Sequence, residues 1–172
     1  MSIAGSRVGI VGGSIAGCAT AITLERAGCD VTVFERSSSA LEDRGAGIAI
    51  PSALREELIT SDYLDADYPF WRAEWRYWVI REDDEPAGRL LWRQAGQATL
   101  NNWSILWSNL RARVDDRSYR DGTSVDGFTS DDGGVNVRLN DGSEERFDVL
   151  VAADGYRSKI RTTLFPGTEP DY

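Results

Sequence analysis

A glycine-rich turn that follows a short apolar segment is the part of the sequence that most clearly suggests chemistry. Its six residues are Gly12, Gly13, Ser14, Ile15, Ala16 and Gly17. The order matches G-x-G-x-x-G, except that Ser14 stands in place of the middle glycine. In this pattern the first glycine permits a tight turn, the second lets a pyrophosphate approach the backbone, and the third lets a helix pack closely on a strand. The turn therefore predicts a phosphate-binding site at a helix N-terminus, where unpaired N–H groups favour negative charge.

Ser14 has two predicted consequences for this site. A side chain at the middle position weakens the close approach of a phosphate to the backbone. Its hydroxyl can also donate a hydrogen bond to a phosphate and cap the following helix. We treat all six residues of the turn as candidate cofactor-binding residues.

An acidic residue lies where a nucleotide ribose would be bound. Glu35 ends the second predicted strand, 23 residues after Gly12. A carboxylate there binds ribose hydroxyls and disfavours a 2′-phosphate, so NADP is not expected in this pocket. Arg36 follows directly and is a further candidate cofactor-binding residue. Strand, glycine turn, helix and terminal acid together indicate a dinucleotide-binding βαβ unit, and a glycine turn without a ligand is the alternative. This motif alone does not separate FAD from NAD.

Apolar patterning predicts the elements that position the turn. Continuous apolar runs, typical of buried parallel strands, occur at Arg7–Val11, Val31–Glu35 and Asp148–Ala153. Predicted helices cover residues 14–27, 51–58, 101–114 and 158–164. Residues 37–49, rich in small side chains, are predicted to form a loop.

The rest of the chain carries two antiparallel patterns. Aromatic and charged residues alternate over Pro69–Arg81, which predicts a strand that returns through a turn at 83–88 as a second strand at Arg89–Arg93. Four Asp-Gly dipeptides between residues 117 and 148 predict a small antiparallel meander. They begin at Asp121, Asp126, Asp132 and Asp141.

Composition excludes several kinds of function. The 172 residues have a formal net charge of −9, which argues against nucleic acid or an anionic membrane as the main partner. The chain contains no histidine, so Ser-His-Asp chemistry is excluded and no metal site is expected. No apolar run is long enough for a transmembrane helix, and no signal peptide is recognised, so a cytoplasmic location is expected. Cys18 and Cys29 are expected to be reduced, small and at least partly buried.

The segment from Asp148 to Arg161 resembles the Asp-Gly motif of the flavin-dependent aromatic hydroxylases, the p-hydroxybenzoate hydroxylase-like monooxygenases. It has the apolar strand, the small residues and Asp154-Gly155, with Ser158 and Arg161 downstream. The resemblance implies that Asp154 and Gly155 lie near the ribose and pyrophosphate of FAD and that this region assists NAD(P)H. Considered alone, Asp154-Gly155 could equally be a turn that ends a strand.

The resemblance is nearly collinear over residues 6–172, and the glycine turn is most similar to the branch that includes 2,6-dihydroxypyridine hydroxylase. Arg44 and the small residues after it resemble the family segment that lies along the flavin. Without the resemblance, Arg44 would be interpreted as a solvated loop charge. One departure concerns an arginine that reaches the pyrophosphate in many family members, since that position here is Trp103 and Arg111 and Arg113 are poor substitutes.

The predicted fold is α/β, a Rossmann-like FAD-binding domain with a parallel sheet, a small antiparallel meander and a partial substrate-domain hairpin. The resemblance implies that the domain covers residues 1–172 and is truncated relative to the family. The family's third flavin motif, a Gly-Asp sequence beyond the second hundred residues, and most of the substrate-covering sheet have no counterpart in this sequence. The hairpin covers residues 69–94 and would belong to that sheet.

The leading hypothesis is the FAD-binding portion of a monooxygenase that uses NAD(P)H and oxygen on an aromatic or heteroaromatic small molecule. This chain alone is expected to be inactive, because the oxygen chemistry needs a closed site that excludes water, and no catalytic residue can be named. An exposed edge at Trp71, Trp75 and Trp78 would associate with another copy or with a separate C-terminal half. A second hypothesis is a non-catalytic nucleotide-binding or interaction module that acts through this hairpin. A third is an NAD-dependent dehydrogenase, against which the Asp154 motif speaks.

Overall fold

The computed structural model describes residues 2–38, 41, 46–82, 85–96, 98–168 and 170. In chain order, the helices and strands are β1 (Arg7–Val11), α1 (Ile15–Arg26), β2 (Asp30–Phe34), β3 (Gly47–Pro51), α2 (Ser52–Thr60), β4 (Trp71–Arg72), β5 (Trp75–Glu82), β6 (Glu85–Ala95), β7 (Ala98–Asn102), α3 (Trp103–Arg111), β8 (Tyr119–Arg120), β9 (Val125–Asp131), β10 (Gly134–Leu139), β11 (Glu144–Phe147), β12 (Val149–Ala152) and α4 (Lys159–Leu164). A 3-10 turn at Asp116–Ser118 precedes β8.

A parallel sheet with the strand order β12-β1-β2-β8 carries the glycine turn. All its neighbouring strands are parallel, and the register aligns Val11 with both Phe34 and Ala152. Strands β1 and β2 are buried along four of their five residues, as their continuous apolar runs predict. The prediction of a buried strand at β12 is wrong in part. This strand lies at the edge of the sheet, and Val149 is 41% exposed.

Helices α1 and α3 pack together beside this sheet and form the main core with it. Cys18, Ala21 and Ile22 are the fully buried side chains of α1, one turn apart on one face. From α3, Leu106, Trp107 and Leu110 enter the same core. The βαβ unit predicted from the sequence is thus present, with helix bounds that differ by one residue at each end.

A second sheet, absent from the sequence predictions, has the order β3-β7-β4 and antiparallel pairing. Strand β3 occupies part of the predicted loop at 37–49, and β7 includes the first two residues of the helix predicted at 101–114. Each strand is short. Strands β3 and β7 pair across about 50 residues, as Ile48 does with Asn101, and β4 pairs with β7 across about 30, as Trp71 does with Leu100. Local patterns do not indicate such pairs.

The predicted meander is present as the antiparallel sheet β9-β10-β11. Phe147, Val137 and Leu139 form a small core with Phe34 from the parallel sheet. Two details of the prediction are wrong. Asp126-Gly127 lies inside β9 instead of forming a turn, and Tyr119 and Arg120 pair in parallel with β2 instead of joining the meander.

The predicted hairpin is a two-stranded ribbon of β5 and β6, which we call the Trp ribbon (residues 75–82 and 85–95). The predicted start at Pro69 is wrong, because Trp71 and Arg72 form β4 and pair with β7 in the second sheet. Every residue of β5 is exposed. Trp78 stacks on Trp92 across the ribbon, with ring centroids 6.0 Å apart, and these rings are 47% and 54% exposed. Both faces of the ribbon therefore present apolar surface.

Candidate nucleotide-binding site

The first and last glycines of the turn are required by close backbone contacts. Gly12 has φ +104° and donates its N–H to the carbonyl of Phe34 at 2.8 Å. A Cβ on Gly12 would lie 2.4 Å from the carbonyl oxygen of Ala153, and a Cβ on Gly17 would lie 1.8 Å from that of Gly12. The turn thus packs closely against the end of β12 on one side and against α1 on the other. No residue larger than glycine fits at position 12 or 17.

The middle of the turn is held differently. Gly13 is buried and donates its N–H to Oε2 of Glu35 at 2.8 Å. Ser14 occupies the N-cap position of α1, but its side chain makes no capping hydrogen bond, so that part of the prediction is wrong. Its backbone is extended, with φ −78° and ψ −169°. Ile15 packs against the core, and Ala16 is exposed at the start of the helix.

Glu35 lies directly beside the glycine turn. Its carboxylate is 8% exposed and accepts backbone N–H groups on both oxygens, from Gly13 on Oε2 and from Ser37 on Oε1, each at 2.8 Å. These two donors fix the orientation of the carboxylate, and each oxygen retains a lone pair for a further donor. Arg36 follows Glu35 and is exposed to solvent.

Asp154, near the C-terminal end of the sequence, also lies beside the glycine turn. Its Cα would lie 3.1 Å from a Cβ on Gly12, so the two predicted motifs are in contact. Oδ2 accepts the N–H of Lys159 at 2.9 Å at the start of α4, whereas Oδ1 is buried and receives no hydrogen bond from the residues that the structure describes. Gly155 has φ +80°, which favours glycine.

The two downstream matches to the Asp-Gly motif have local structural roles. Ser158 is the N-cap of α4, and its Oγ accepts the N–H of Arg161 at 2.9 Å. The guanidinium of Arg161 donates to the carbonyl of Tyr156 at 2.5 Å. Both residues thereby hold the segment that follows Asp154.

Three residues that sequence reasoning did not assign to the site surround the Gly13 peptide. They are Cys18, Trp107 and Tyr119, and all donate to the Gly13 carbonyl. Burial, together with the nearby negative charge of Glu35 and against the opposing effect of Arg111, raises the pKa of the Cys18 thiol to about 12. Burial also raises the pKa of Tyr119, with smaller contributions from Cys18 and Glu35. No local motif marks Tyr119, because its strand has only two residues.

Trp103, at the position where the resemblance led us to expect an arginine, packs against another aromatic ring. Its ring stacks on Trp107 with an interplanar angle of 3° and a centroid separation of 6.5 Å. Arg111 donates to Val114 and Asp116, and Arg113 donates to Asp62, Asp65 and Asn109. The guanidinium of Arg111 also lies over the ring of Tyr119, 4.1 Å from its centroid. That these two arginines are poor substitutes for the family's pyrophosphate-binding arginine stays a prediction.

Arg44, the remaining candidate, lies outside the described residues. Among the described residues, no cluster of three or more His, Cys, Asp or Glu side chains could hold a metal ion. In the same part of the chain, no helix has the length and apolar character needed to cross a membrane.

Fold and site together define a dinucleotide-binding domain, and comparisons with known proteins specify its kind. The family model described as pyridine nucleotide-disulphide oxidoreductase matches residues 7–61, which contain the βαβ unit. The chain is 28% identical to the 2,6-dihydroxypyridine 3-monooxygenase of Paenarthrobacter nicotinovorans over 100% of its own length and 42% of that protein. It is 29% identical to the salicylate hydroxylase of Pseudomonas putida over 95% of its length and 39% of the relative.

The structural comparison agrees with these relatives. The solved structure of 2,6-dihydroxypyridine-3-hydroxylase from Arthrobacter nicotinovorans superimposes with a TM-score of 0.83 at 26% identity, covering 97% of this chain and 41% of that one. The resemblance to flavin-dependent aromatic hydroxylases is thus confirmed, as is the Rossmann-like fold. The chain spans about two fifths of the length of these relatives. Relatives named as FAD-dependent monooxygenases support FAD as the predicted cofactor.

Proposed function

We propose that this chain is the FAD-binding portion of a flavoprotein monooxygenase that uses NAD(P)H and oxygen on an aromatic or heteroaromatic small molecule. The contact between the two motifs carries the proposal. The Gly12 turn and Asp154 are 142 residues apart in sequence (154 − 12), yet a Cβ on Gly12 would lie within 3.1 Å of the Asp154 backbone. The parallel pairing of β1 with β12 brings both motifs to the carboxyl ends of adjacent strands, which is where open parallel sheets bind ligands.

The residues at this contact fit FAD. A buried carboxylate oxygen without a donor is costly, and Oδ1 of Asp154 is such an atom among the described residues. A hydroxyl group of a bound nucleotide supplies the missing donor. Glu35 offers a second oriented carboxylate on the other side of the turn, where it accepts ribose hydroxyls.

Each part of the chain then has a distinct task. The N–H groups of the first turn of α1 lack partners within the helix and bind the pyrophosphate. Glu35 and Asp154 orient the ribose and its neighbouring hydroxyls, while the close packing at Gly17 keeps water from beneath the turn. FAD, when bound, supplies the redox chemistry, which accords with the absence of histidine from the sequence.

Residues 69–94 are proposed to belong to a substrate-covering sheet, with the domain over 1–172 incomplete relative to the family. The Trp ribbon supports this, since apolar residues are exposed on both of its strands. Further strands from a second copy or from a separate C-terminal half would cover it. We predict concentration-dependent association in sedimentation, and a monomer at all concentrations would contradict this part of the proposal.

A second candidate function is a non-catalytic module that binds a nucleotide weakly and acts through the Trp ribbon. The large exposed surface of the ribbon favours it, because contiguous apolar patches mark interaction sites. A cytoplasmic location stays a prediction for either function.

Titration with FAD and then NADH separates the candidates. The proposed function predicts flavin absorption bands in the purified or FAD-loaded chain that bleach when NADH is added. FAD or ADP binding without reduction favours the module. Tight NAD binding without flavin affinity would overturn the choice of cofactor.

Asp154→Asn tests the site assignment in the same assay. Loss of one charged acceptor should raise the Kd for FAD about 10-fold. The matched control is Asp132→Asn, which changes the Asp-Gly turn between β9 and β10 and should leave the Kd unchanged. Equal affinities of the two variants would contradict the role of Asp154.

A further inference from the structure

The peptide that follows Gly13 is held at its carbonyl by side chains from three elements. Trp107 of α3 donates its indole N–H at 2.8 Å, Tyr119 of β8 donates its hydroxyl at 3.0 Å, and Cys18 of α1 lies at 3.3 Å. A carbonyl oxygen has two lone pairs, so Trp107 and Tyr119 satisfy it and the thiol adds a weak third contact. The N–H of Gly13 is bound in turn to Glu35.

Tyr119 also fills the space below the turn. A Cβ on Gly13 would lie 2.2 Å from its hydroxyl oxygen and 2.6 Å from Cζ. The guanidinium of Arg111 lies over the Tyr119 ring, 4.1 Å from its centroid, and is itself held by Val114 and Asp116. The Tyr119 side chain is therefore held at its ring by Arg111 and at its hydroxyl by the Gly13 carbonyl.

Trp107 of α3 contacts the same carbonyl. Its ring is 6% exposed and stacks on Trp103 in the first turn of α3. Because α3 packs directly on α1, a shift of either helix would break the bond to Gly13.

We propose that Tyr119 and Trp107 are positioning residues that hold the Gly13 carbonyl inward and so direct the N–H groups of the first turn of α1 toward a bound pyrophosphate. The inference rests on the proposed function and adds two residues to its site. A turn that is already fixed before the ligand arrives loses less entropy on binding, which increases affinity.

Tyr119→Phe removes one hydroxyl and keeps the ring. The loss of one hydrogen bond should raise the Kd for FAD, and for ADP, which carries the adenosine and pyrophosphate without the flavin, about 5-fold to 10-fold. The matched control is Tyr63→Phe, because the Tyr63 hydroxyl makes a 2.7 Å hydrogen bond with Thr23 in the same helix α1. We expect the control to leave both Kd values unchanged. Equal Kd values in the two variants, with altered melting temperatures only, would overturn the proposal.

Trp107→Phe gives a second measurement that does not depend on the ligand. In the apo protein, loss of the indole donor or of the Tyr119 hydroxyl should accelerate amide hydrogen exchange at Gly13 several-fold, and Tyr63→Phe should not. Unchanged exchange at Gly13 in both variants would overturn the inference. If the unmodified chain binds neither FAD nor ADP, the proposed function fails, while the exchange rates still decide whether these side chains hold the turn.

Discussion

The parallel sheet and the Trp ribbon are built from similar apolar residues but lie in opposite environments. In β2, Phe34 is 1% exposed and meets Phe147 edge-on at 5.7 Å. In the ribbon, Trp92 is 54% exposed and its main aromatic contact is Trp78. The parallel sheet is covered by helices and by the meander, whereas the ribbon has no covering layer among the described residues. An apolar strand therefore requires a second layer of structure to bury its side chains, but its sequence does not show whether that layer is present.

The largest predicted difference between the two regions is in stability. Phe34→Ala should lower the free energy of unfolding by about 3–5 kcal/mol, since it empties a fully buried site. Trp92→Ala should cost less than about 1.5 kcal/mol, because about half of the ring already contacts solvent. Urea unfolding of the two variants measures both values. If Trp92→Ala proved as costly as Phe34→Ala, the ribbon would be covered in solution by another chain.

A smaller loss of stability is expected from a substitution in the glycine turn, which the parallel sheet has and the Trp ribbon lacks. Gly17→Ala places a Cβ 1.8 Å from the Gly12 carbonyl oxygen, so the backbone must shift, and we expect a loss of about 2 kcal/mol together with weaker FAD binding. Gly47→Ala is the matched control, because a Cβ there has no atom within 4 Å. Its effect on stability should stay within about 0.5 kcal/mol. Comparable thermal shifts for the two variants would contradict the close packing of the turn.

The smallest effect concerns the two thiols. With its pKa raised to about 12 by burial, Cys18 has a thiolate fraction of only about 10⁻⁴ at pH 8. Cys29 is half-buried, so a thiol reagent should modify one equivalent in the native protein and a second only after unfolding. Rapid modification of both thiols at pH 8 would show that the core beneath the turn opens readily.

The elements predicted correctly from the sequence are those that patterns among neighbouring residues determine. β1, α1 and β2 lie within 30 residues of one another, and their apolar runs and glycines are visible without knowledge of the tertiary structure. Strands β3 and β7 were missed because each depends on pairing with the other across about 50 residues. Gly127 was misread as a turn because Asp-Gly is a strong hairpin signal, yet the dipeptide continues β9 opposite Arg138.

The candidate site divides in the same way. Gly12, Gly17, Glu35 and Asp154 belong to motifs with fixed spacing, and the structure brings all four together. Tyr119 and Trp107 contact the turn only through the tertiary fold, at sequence distances of 106 and 94 residues from Gly13. Such support residues carry no local signal, since an aromatic residue at helical spacing is equally typical of an ordinary core.

We propose that the glycine turn and the end of β12 form one site for FAD. Titration of isotope-labelled protein with FAD, followed through the amide resonances of its glycines, tests this. We expect concerted shifts at Gly12, Gly13 and Gly155 with a single Kd, while Gly88 in the Trp ribbon stays unchanged. Shifts confined to the ribbon, or shifts at Gly12 and Gly13 without any at Gly155, would contradict it.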